Sequence, residues 1–349
     1  MYLLLLPLTL IYTAVVWLRN KLYDKGLFAS YRFGISVVSI GNITVGGTGK
    51  TPHTEYLIDV LSKDFNLAVL SRGYKRQSKG FQYVETGDST SKTGDEPLQI
   101  KRKYPELVVA VDADRVHGIK RLQSDYPCLD LILLDDAFQH RRVAPSLNIV
   151  LIDYNRPVWN DTMLPAGRLR DCRSSLYRAD IIVIAKCPAN IPQDEKQKYA
   201  DKLNKYNKPL YFSCLEYGKA YPLSASDESV FDSSNLSAIS GIANPVVFFA
   251  QIDKLYPEAV IERCAFPDHH VFSEKDIRNI LKKAESHTIV TTEKDSVRLI
   301  SHFCATKEPI PTNIYCIPIK VKINDSYSFN SNIINHVRKN KENSRLYQS

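Results

Sequence analysis

The sequence predicts an α/β protein: a doubly wound, mostly parallel sheet, a second, smaller α/β domain, and an N-terminal membrane-associated helix. Short apolar, β-branched runs alternate with longer amphipathic segments between residues 34 and 186. The composition then turns polar and charged over residues 187–209, before a second series of apolar runs begins. Residues 1–18 contain no charged side chain. Near-continuous apolar runs, spaced for helical crossovers, are typical of parallel strands covered on both faces.

The composition is that of a folded protein. The chain has 349 residues, of which 44% are hydrophobic and 24% charged, which excludes bulk disorder and allows two domains. The net charge of +8 suits an acidic partner such as anionic lipid, nucleotide or nucleic acid. Seven scattered cysteines, without a CxxC spacing, indicate reduced thiols in a cytosolic compartment rather than a disulfide framework.

The first segment, "MYLLLLPLTLIYTAVVWL", is an apolar run of about 18 residues, at the lower limit for crossing a bilayer. A cleaved signal peptide would need a basic start and an A-x-A site, and the segment has neither. A buried core helix would be unusually apolar on all sides. We therefore predict a membrane-associated helix over residues 1–22, which either spans the bilayer or lies in one leaflet. Basic residues after Leu18 place the following domain on the cytoplasmic side.

The remaining chain divides into three predicted parts. The first domain covers residues 23–208, with strands expected at 34–41, 66–72, 106–112, 129–136, 147–153 and 179–186. The second covers residues 209–330, with strands expected at 209–215, 236–242, 287–294 and 314–323. Ser273 and Asp276 form a capping-box pattern that predicts a helix over "FSEKDIRNILKKAE". Residues 331–349 are predicted to be a frayed basic tail.

The stretch "SIGNITVGGTGKTP", residues 39–52, nearly matches the phosphate-binding pattern GxxxxGK[ST], with Thr44 at the position of the first glycine. A strand is predicted before it and a helix after it, as the motif requires. Backbone N–H groups of residues 46–50 would then surround a β-phosphate, Lys50 would reach the β and γ oxygens, and Thr51 would ligate Mg²⁺. A tight turn without a ligand is the alternative interpretation. The predicted nucleotide-binding residues are Gly46, Gly47, Thr48, Gly49, Lys50 and Thr51.

A second motif, "LILLDDAFQHRR", ends an apolar strand in Asp135 and Asp136. Two adjacent carboxylates are unfavourable unless a cation neutralises them, although helix capping is an alternative role for such a pair. Together the two motifs predict a Mg²⁺–nucleotide site on a P-loop NTPase-like core.

These two motifs do not identify the phosphoryl acceptor, because ATPase switches, GTPases and small-molecule kinases share them. A guanine-reading N-K-x-D is not matched by "TTEKD" at 291–295, where Thr292 and Glu293 replace the Asn and Lys. A membrane-tethered ATPase or GTPase switch and a scaffold with an inert loop remain alternatives. No basic platform interleaved with aromatic residues is visible, so we predict no nucleic-acid partner.

Further polar clusters follow predicted strands, where α/β proteins bind their ligands. The segment "FPDHHVF" is the least ordinary of them. A metal site there is disfavoured, because adjacent histidines point in different directions and no third ligand lies nearby. The clusters contain Arg72, Asp95, Glu96, Arg168, Arg170, Asp171, Asp268, His269 and His270.

Seven segments resemble, in order and wording, the tetraacyldisaccharide 4′-kinase family of lipid A biosynthesis: "VSIGNITVGGTGKTP", "VLSRGY", "GDEP", "LLDDAFQHR", "LPAGRLRD", "FPDHH" and "TTEKD". The resemblance extends over roughly residues 1 to 300. It implies a membrane-associated P-loop kinase that uses ATP and Mg²⁺. Such an enzyme phosphorylates the 4′-hydroxyl of a tetraacylated glucosamine disaccharide 1-phosphate at the cytoplasmic face of the inner membrane. Its expected partners are the acylated substrate, ATP and an anionic bilayer surface.

The resemblance also implies roles for individual residues. Asp95 would accept or orient the hydroxyl proton with His269 as its partner, and Lys50 is the third catalytic residue. Thr51, Asp135 and Asp136 would serve Mg²⁺. The expected substrate- and phosphate-contacting residues are Arg72, Gln139, His140, Arg170, Asp171 and His270. The chain departs from the family pattern "GPLRE", because Arg168 replaces the proline and Asp171 the glutamate.

Overall fold

The computed structural model describes residues 2–224 and 230–346. Met1, residues 225–229 and residues 347–349 belong to the predicted N-terminal helix, second domain and basic tail, and lie outside the described residues. The helices are α1 (Tyr2–Asp24), α2 (Lys50–Leu61), α3 (Thr90–Thr93), α4 (Asp95–Lys103), α5 (Arg115–Asp125), α6 (Gln193–Leu203), α7 (Pro245–Leu255), α8 (Glu274–Ala284), α9 (Glu293–Thr306) and α10 (Ser326–Leu346). The strands are β1 (Ser36–Asn42), β2 (Leu67–Ser71), β3 (Gln82–Tyr83), β4 (Val108–Val111), β5 (Leu131–Asp135), β6 (Leu147–Asp153), β7 (Ile181–Ala185), β8 (Leu210–Tyr217), β9 (Tyr221–Pro222), β10 (Asn235–Ser240), β11 (Val260–Ala265), β12 (Thr288–Thr292), β13 (Ile314–Ile317) and β14 (Ile319–Ile323).

The larger sheet has nine strands in the order β14-β8-β7-β6-β1-β5-β2-β4-β3. Its seven central strands are parallel, and the edge strands β14 and β3 are antiparallel to their neighbours. Every residue of β1 is buried, as expected for a central strand covered on both faces. The prediction of an α/β fold with a large, mostly parallel sheet is confirmed. Because β1 lies between β5 and β6, its carboxyl end opens at the point where the strand order reverses, the usual ligand position in such sheets.

The smaller sheet has five strands in the order β11-β10-β12-β13-β9. The strand prediction for residues 209–330 needs correction here, because β8 and β14 extend the larger sheet instead. The run predicted as one strand over 314–323 is interrupted at Pro318, which has no N–H for a sheet hydrogen bond. The chain thus leaves the smaller sheet after β13 and joins the larger one again as β14. An apolar strand pattern does not state which sheet the strand joins.

The C-terminal segment, predicted as a frayed tail, is a helix as far as Leu346. Phe329, Ile333 and Val337 are fully buried in the core of the larger sheet. Residues spaced by four share one face of a helix, so these three form an apolar stripe. Arg338 and Lys339 are exposed, and Arg338 pairs with Asp64. Asn and Ser, which are weak helix formers, fill most positions between the stripe residues and conceal an ordinary amphipathic helix.

Helix α1 packs on the larger sheet with one face and exposes the other. Val16 is buried against residues that include Phe138, while Leu10, Ile11 and Val15 are 60–70% exposed. Among the described residues, no helix combines the length and the hydropathy that a bilayer crossing requires.

Candidate active site

The glycine-rich loop leaves β1 at the switch point and bends into α2. Its first residues pair with a neighbouring segment: Arg170 N donates to Ile43 O at 2.9 Å, and Val45 N donates to Arg168 O at 2.8 Å. Thr44 therefore lies in extended, paired backbone, where a glycine is not required. The bend comes later, at Gly46 and Gly49, whose φ angles of 97° and 88° favour glycine.

The loop rests on side chains that the sequence interpretation did not identify. His53 Nδ1 lies 2.7 Å from Gly49 O, and its Nε2 lies 2.8 Å from Ser213 Oγ. Burial lowers the pKa of His53 to about 4, so the ring is neutral at pH 7. From β7, Lys186 donates to Gly47 O and also pairs with Asp153 at 2.9 Å. His53 and Lys186 thus fix two backbone carbonyl groups of the loop, those of Gly49 and Gly47.

Two carboxylates lie opposite the loop at the end of β5. Asp136 pairs with Lys50 at 3.6 Å and accepts hydrogen bonds from Arg170 at both of its oxygens. Burial opposes its ionisation, but the charges of Lys50 and Arg170 outweigh burial and lower the pKa of Asp136 to about 2. Asp136 is therefore ionised, and both of its oxygens accept hydrogen bonds from Arg170.

Asp135 is in the opposite situation. It is buried and accepts a hydrogen bond from Thr54 at 3.1 Å. Burial, followed by repulsion from Asp136 and Glu96, raises the pKa of Asp135 to about 7. A divalent cation beside Asp135 would remove this penalty. Carboxylate oxygens and a threonine hydroxyl are hard donors that suit Mg²⁺.

Within residues 2–224 and 230–346, no group of three or more His, Cys, Asp or Glu side chains could hold a metal by itself. Mg²⁺ in nucleotide sites usually keeps waters and takes substrate phosphates as ligands beside only one or two carboxylates. Asp135, Asp136 and Thr51 fit that mode of binding.

Asp95 and His269 meet although 174 residues separate them along the chain. His269 Nδ1 lies 3.0 Å from Asp95 Oδ2, and Arg298 donates to the same oxygen from Nε at 2.9 Å and Nη2 at 2.6 Å. Burial would raise the pKa of Asp95, but the hydrogen bond from His269 and the charge of Arg298 lower it to about 2. Its other oxygen, Oδ1, accepts no hydrogen bond from the described part of the chain.

Charged side chains connect the Asp95–His269 pair with the carboxylates at the end of β5. Lys294, on α9, lies 3.1 Å from His269 Nε2 and 2.9 Å from Glu96 Oε1. Glu96 in turn acts on the pKa values of both Lys50 and Asp135. The loop after β10 reaches the glycine-rich loop, since a Cβ added to Gly47 would lie 4.0 Å from the Cβ of Ala243. A path of polar and charged side chains therefore leads from Lys50 to Asp95.

The sequence model of the tetraacyldisaccharide-1-P 4′-kinase family matches residues 1–338 of this chain. The chain belongs to the tetraacyldisaccharide 4′-kinase family. A tetraacyldisaccharide 4′-kinase of Phocaeicola vulgatus is 44% identical, over 98% of this chain and 97% of that protein. One from Flavobacterium johnsoniae is 38% identical, over 97% of this chain and 98% of that protein. The crystal structure of the Aquifex aeolicus LpxK in complex with ATP is similar at a TM-score of 0.75 with 28% identity, covering 96% of this chain and 99% of that one. The family resemblance of the motifs is thus confirmed.

Among the family motifs, "FPDHH" presents two histidines with different environments. His269 faces Asp95, whereas His270 Nε2 lies 3.0 Å from Asp276 Oδ2, within the capping box of α8. The ring of His270 also stacks on Phe266. His270, predicted as a substrate-contacting residue, is therefore occupied in supporting the loop.

The other predicted phosphate-contacting residues have different surroundings. Gln139 Nε2 donates to Asn42 O at 2.6 Å, and Arg170 contacts both Asn42 and Asp136. Arg72 is exposed and makes no hydrogen bond or ion pair with the described residues. Burial, followed by the charge of Arg115, lowers the pKa of His140 to about 4. Of these side chains, Arg72 is the one that is exposed and unpaired among the described residues.

Asp171, also predicted to contact phosphate, is fully buried away from the cleft. It accepts hydrogen bonds from Asn20 of α1 at 2.7 Å and from Ser175 at 2.6 Å, and pairs with Arg178 at 2.8 Å. The prediction for Asp171 needs correction: the residue anchors α1 to the larger sheet. The shorter side chain, compared with the family glutamate, suits this close set of donors.

Replacing Asp171 with alanine should destabilise the protein by about 3 kcal/mol, because the half-buried Arg178 would lose its counter-charge and the buried Asn20 and Ser175 would lose their hydrogen-bond acceptor. Urea unfolding would measure the change. Asp253, which pairs with Arg263 at an exposed position, is the matched control, and its replacement with alanine should cost less than about 1 kcal/mol. Equal effects of the two substitutions would contradict the anchoring role.

The motif "TTEKD" acts through residues that the sequence interpretation did not select. Thr292 caps α9, and Asp295 accepts hydrogen bonds from Gly241 N at 2.9 Å and Arg298 at 2.8 Å. Asp295 is fully buried, so it is not available to read a guanine base. Lys294 and Arg298 are four residues apart, so both lie on the same face of α9. That face is turned toward Asp95 and His269.

Proposed function

We propose that this protein transfers the γ-phosphoryl group of ATP to the 4′-hydroxyl of a tetraacylated glucosamine disaccharide 1-phosphate, a step of lipid A biosynthesis. The observation that carries the proposal is the Asp95–His269 pair, which is connected through Lys294 and Glu96 with Lys50 and Asp135. The activity in the names of the relatives, and the ATP in complex with the related LpxK of Aquifex aeolicus, support the same chemistry.

The glycine-rich loop is the proposed phosphate-binding loop. The N–H groups of residues 46–50 and the start of α2 would receive the β-phosphate, and Lys50 would contact the β and γ oxygens. Thr51, Asp135 and Asp136 would hold Mg²⁺, which when bound neutralises charge on the phosphates. Arg170 and Arg72 would add positive charge at the side of the cleft.

Asp95 is the proposed acceptor of the hydrogen bond from the sugar hydroxyl. His269 and Arg298 hold its Oδ2, which leaves Oδ1 for the hydroxyl. A pKa of about 2 makes Asp95 a weak base, so its first task is to orient the hydroxyl toward the phosphorus. Phosphoryl transfer passes through a loose transition state that needs alignment and charge neutralisation more than early deprotonation.

Helix α1 is the proposed contact with the membrane. Its exposed apolar face would lie in one leaflet at the cytoplasmic face of the inner membrane, so that the substrate keeps its acyl chains in the bilayer. The basic residues that follow, including Lys21 and Lys25, would favour an anionic surface. This arrangement brings the sugar headgroup to a kinase whose fold is otherwise that of a soluble domain.

Replacing both Leu10 and Val15 with aspartate should weaken vesicle binding at least about tenfold, because each charged side chain would enter the leaflet in place of an apolar one. Co-sedimentation with vesicles that contain phosphatidylglycerol would measure the binding. The control is Val260→Asp, at a position on β11 that is 67% exposed, and it should leave vesicle binding unchanged. Unchanged binding of the double variant would exclude this face as the membrane contact.

The assay of function uses γ-labelled ATP, Mg²⁺ and the acylated disaccharide 1-phosphate in detergent micelles. We expect label in the lipid and a mass increase of one phosphate. If ATP is hydrolysed at a rate that does not change when the lipid is added, the alternative is favoured: a membrane-tethered ATPase or GTPase switch without a lipid acceptor.

A further inference from the structure

An ion triad of two buried carboxylates and one half-buried lysine joins the three helices that carry the proposed active-site residues. Lys103, the last residue of α4, donates to Glu55 Oε2 at 2.6 Å and to Glu293 Oε1 at 2.8 Å. Glu55 is only 3% exposed and Glu293 only 6% exposed. Neither the phosphate loop nor Asp95 contacts the triad directly, so these charges take no direct part in the proposed phosphoryl transfer.

The triad lies on the elements that the reaction requires. Helix α2 begins with Lys50, and Glu55 follows little more than one turn later. Helix α4 begins with Asp95 and ends with Lys103. Helix α9 begins with Glu293, and the next residue, Lys294, contacts His269. One ammonium group therefore connects all three helices at the end of α4 opposite Asp95.

Each carboxylate of the triad is also fixed at its second oxygen. Glu55 Oε1 accepts a hydrogen bond from Gln99 Nε2 at 2.8 Å, within α4. Glu293 Oε2 accepts one from Ile319 N at 3.1 Å, at the start of β14 in the larger sheet. Since α9 packs against β12 and β13, Glu293 ties the smaller sheet to the larger one. The triad thus restrains the two sheets as well as the three helices.

Stability alone is a poor reason for this arrangement. Buried ion clusters seldom stabilise a protein more than apolar side chains of the same volume would. Burial, followed by repulsion from Glu293, raises the pKa of Glu55 to about 7, which shows that one lysine does not fully compensate two carboxylates. Unlike apolar side chains, the triad fixes the relative positions of three helices through directional contacts.

We propose that Lys103 is a positioning residue, which holds Glu55 and Glu293 so that Lys50, Asp95 and Lys294 keep the relative positions that phosphoryl transfer requires. The inference rests on the proposed function. Displacement of reacting groups by about 1 Å can cost on the order of 100-fold in rate, so a restraint remote from the phosphorus can control kcat.

The test starts with Lys103→Met, which keeps the length of the side chain and removes its charge. We expect kcat to fall about 10- to 100-fold, while KM for ATP stays within about twofold because the phosphate loop is intact. Lys101→Met is the matched control on the same helix. Among the described residues, Lys101 donates to the carbonyl oxygens of Pro105 and Leu107 alone, near its own helix end, so its loss should leave kcat unchanged.

A second variant separates positioning from stability, because Lys103→Met alone leaves two buried carboxylates unpaired. In the triple variant Glu55→Gln, Lys103→Met, Glu293→Gln, the charges are absent and the unfolding midpoint should return toward that of the wild type. We expect its kcat to remain low, and Lys103→Arg to recover most of the activity. Recovery of full kcat by the triple variant would reduce the triad to a structural role and overturn the proposal.

Hydrogen exchange of the amides of residues 293–298 supplies a measurement without activity. We expect exchange about tenfold faster in the Lys103→Met and triple variants than in Lys101→Met, because the first residue of α9 loses its ion pair with the end of α4. Absence of lipid phosphorylation in the wild type would refute the proposed function, and the exchange data would still decide the restraint. Equal exchange in the Lys103 and Lys101 variants would overturn the positioning role.

Discussion

Replacement of Lys50 with alanine should lower kcat/KM for phosphoryl transfer by about three orders of magnitude or more. Lys50 is the cation at the start of α2 beside Asp136, and its charge would fall on the β and γ oxygens of bound ATP. Electrostatic groups aimed at developing charge in a water-poor site are among the largest single contributors to catalysis. Burial lowers the pKa of Lys50, which marks a site where few waters could replace its charge.

The measurement is transfer of labelled phosphate to the lipid acceptor, with ATP binding followed by calorimetry. Lys50→Met is the more conservative version, since it preserves the apolar stem. Lys63, exposed just after α2, is the control lysine, and Lys63→Met should leave kcat/KM unchanged. A Lys50 variant with wild-type transfer would place the triphosphate elsewhere and refute the assignment of the loop.

The loop and the carboxylate pair could be predicted from sequence because each is a local pattern. Residues 43–49 connect β1 to α2, and Asp135 ends the neighbouring strand β5 with Asp136 directly after it, so the parallel sheet brings the two motifs to one edge. The sheet membership of β8 and β14 could not be predicted, because apolar alternation does not encode a partner strand. Helix α10 is hard to predict because Asn and Ser, which are weak helix formers, fill most positions between its three buried residues.

The histidine pair shows a second limit of sequence reasoning. His269 and His270 are adjacent and chemically identical, and only the fold determines which one faces Asp95. The contacts of Lys294 and Arg298 depend on how α9 crosses α4, a tertiary arrangement without a local signature. A carboxylate in an arginine-rich motif suggests a ligand site, whereas the partners of Asp171 come from α1 and from the turn that directly follows it in the chain.

Replacement of Asp95 with asparagine should lower kcat by about 10²- to 10⁴-fold and leave KM for ATP nearly unchanged. The amide preserves the volume and can still accept one hydrogen bond from Arg298 or His269. It can neither receive a proton nor supply the negative charge that draws the hydroxyl toward Oδ1. Single-turnover transfer with preformed enzyme–ATP would isolate the chemical step. Asp253→Asn, at an exposed carboxylate that pairs with Arg263, is the control and should stay near wild-type activity.

The double variant Asp95→Asn, His269→Ala tests whether the pair acts as one unit. His269 reaches the hydroxyl only through the oxygen that it fixes on Asp95, so its loss should add little once the carboxylate is gone. We therefore expect the double variant to be no more than about twofold slower than Asp95→Asn, well short of the product of the two single effects. Multiplicative losses would mean that His269 acts on the substrate independently, in which case its Nε2, beside Lys294, would be the atom to examine next.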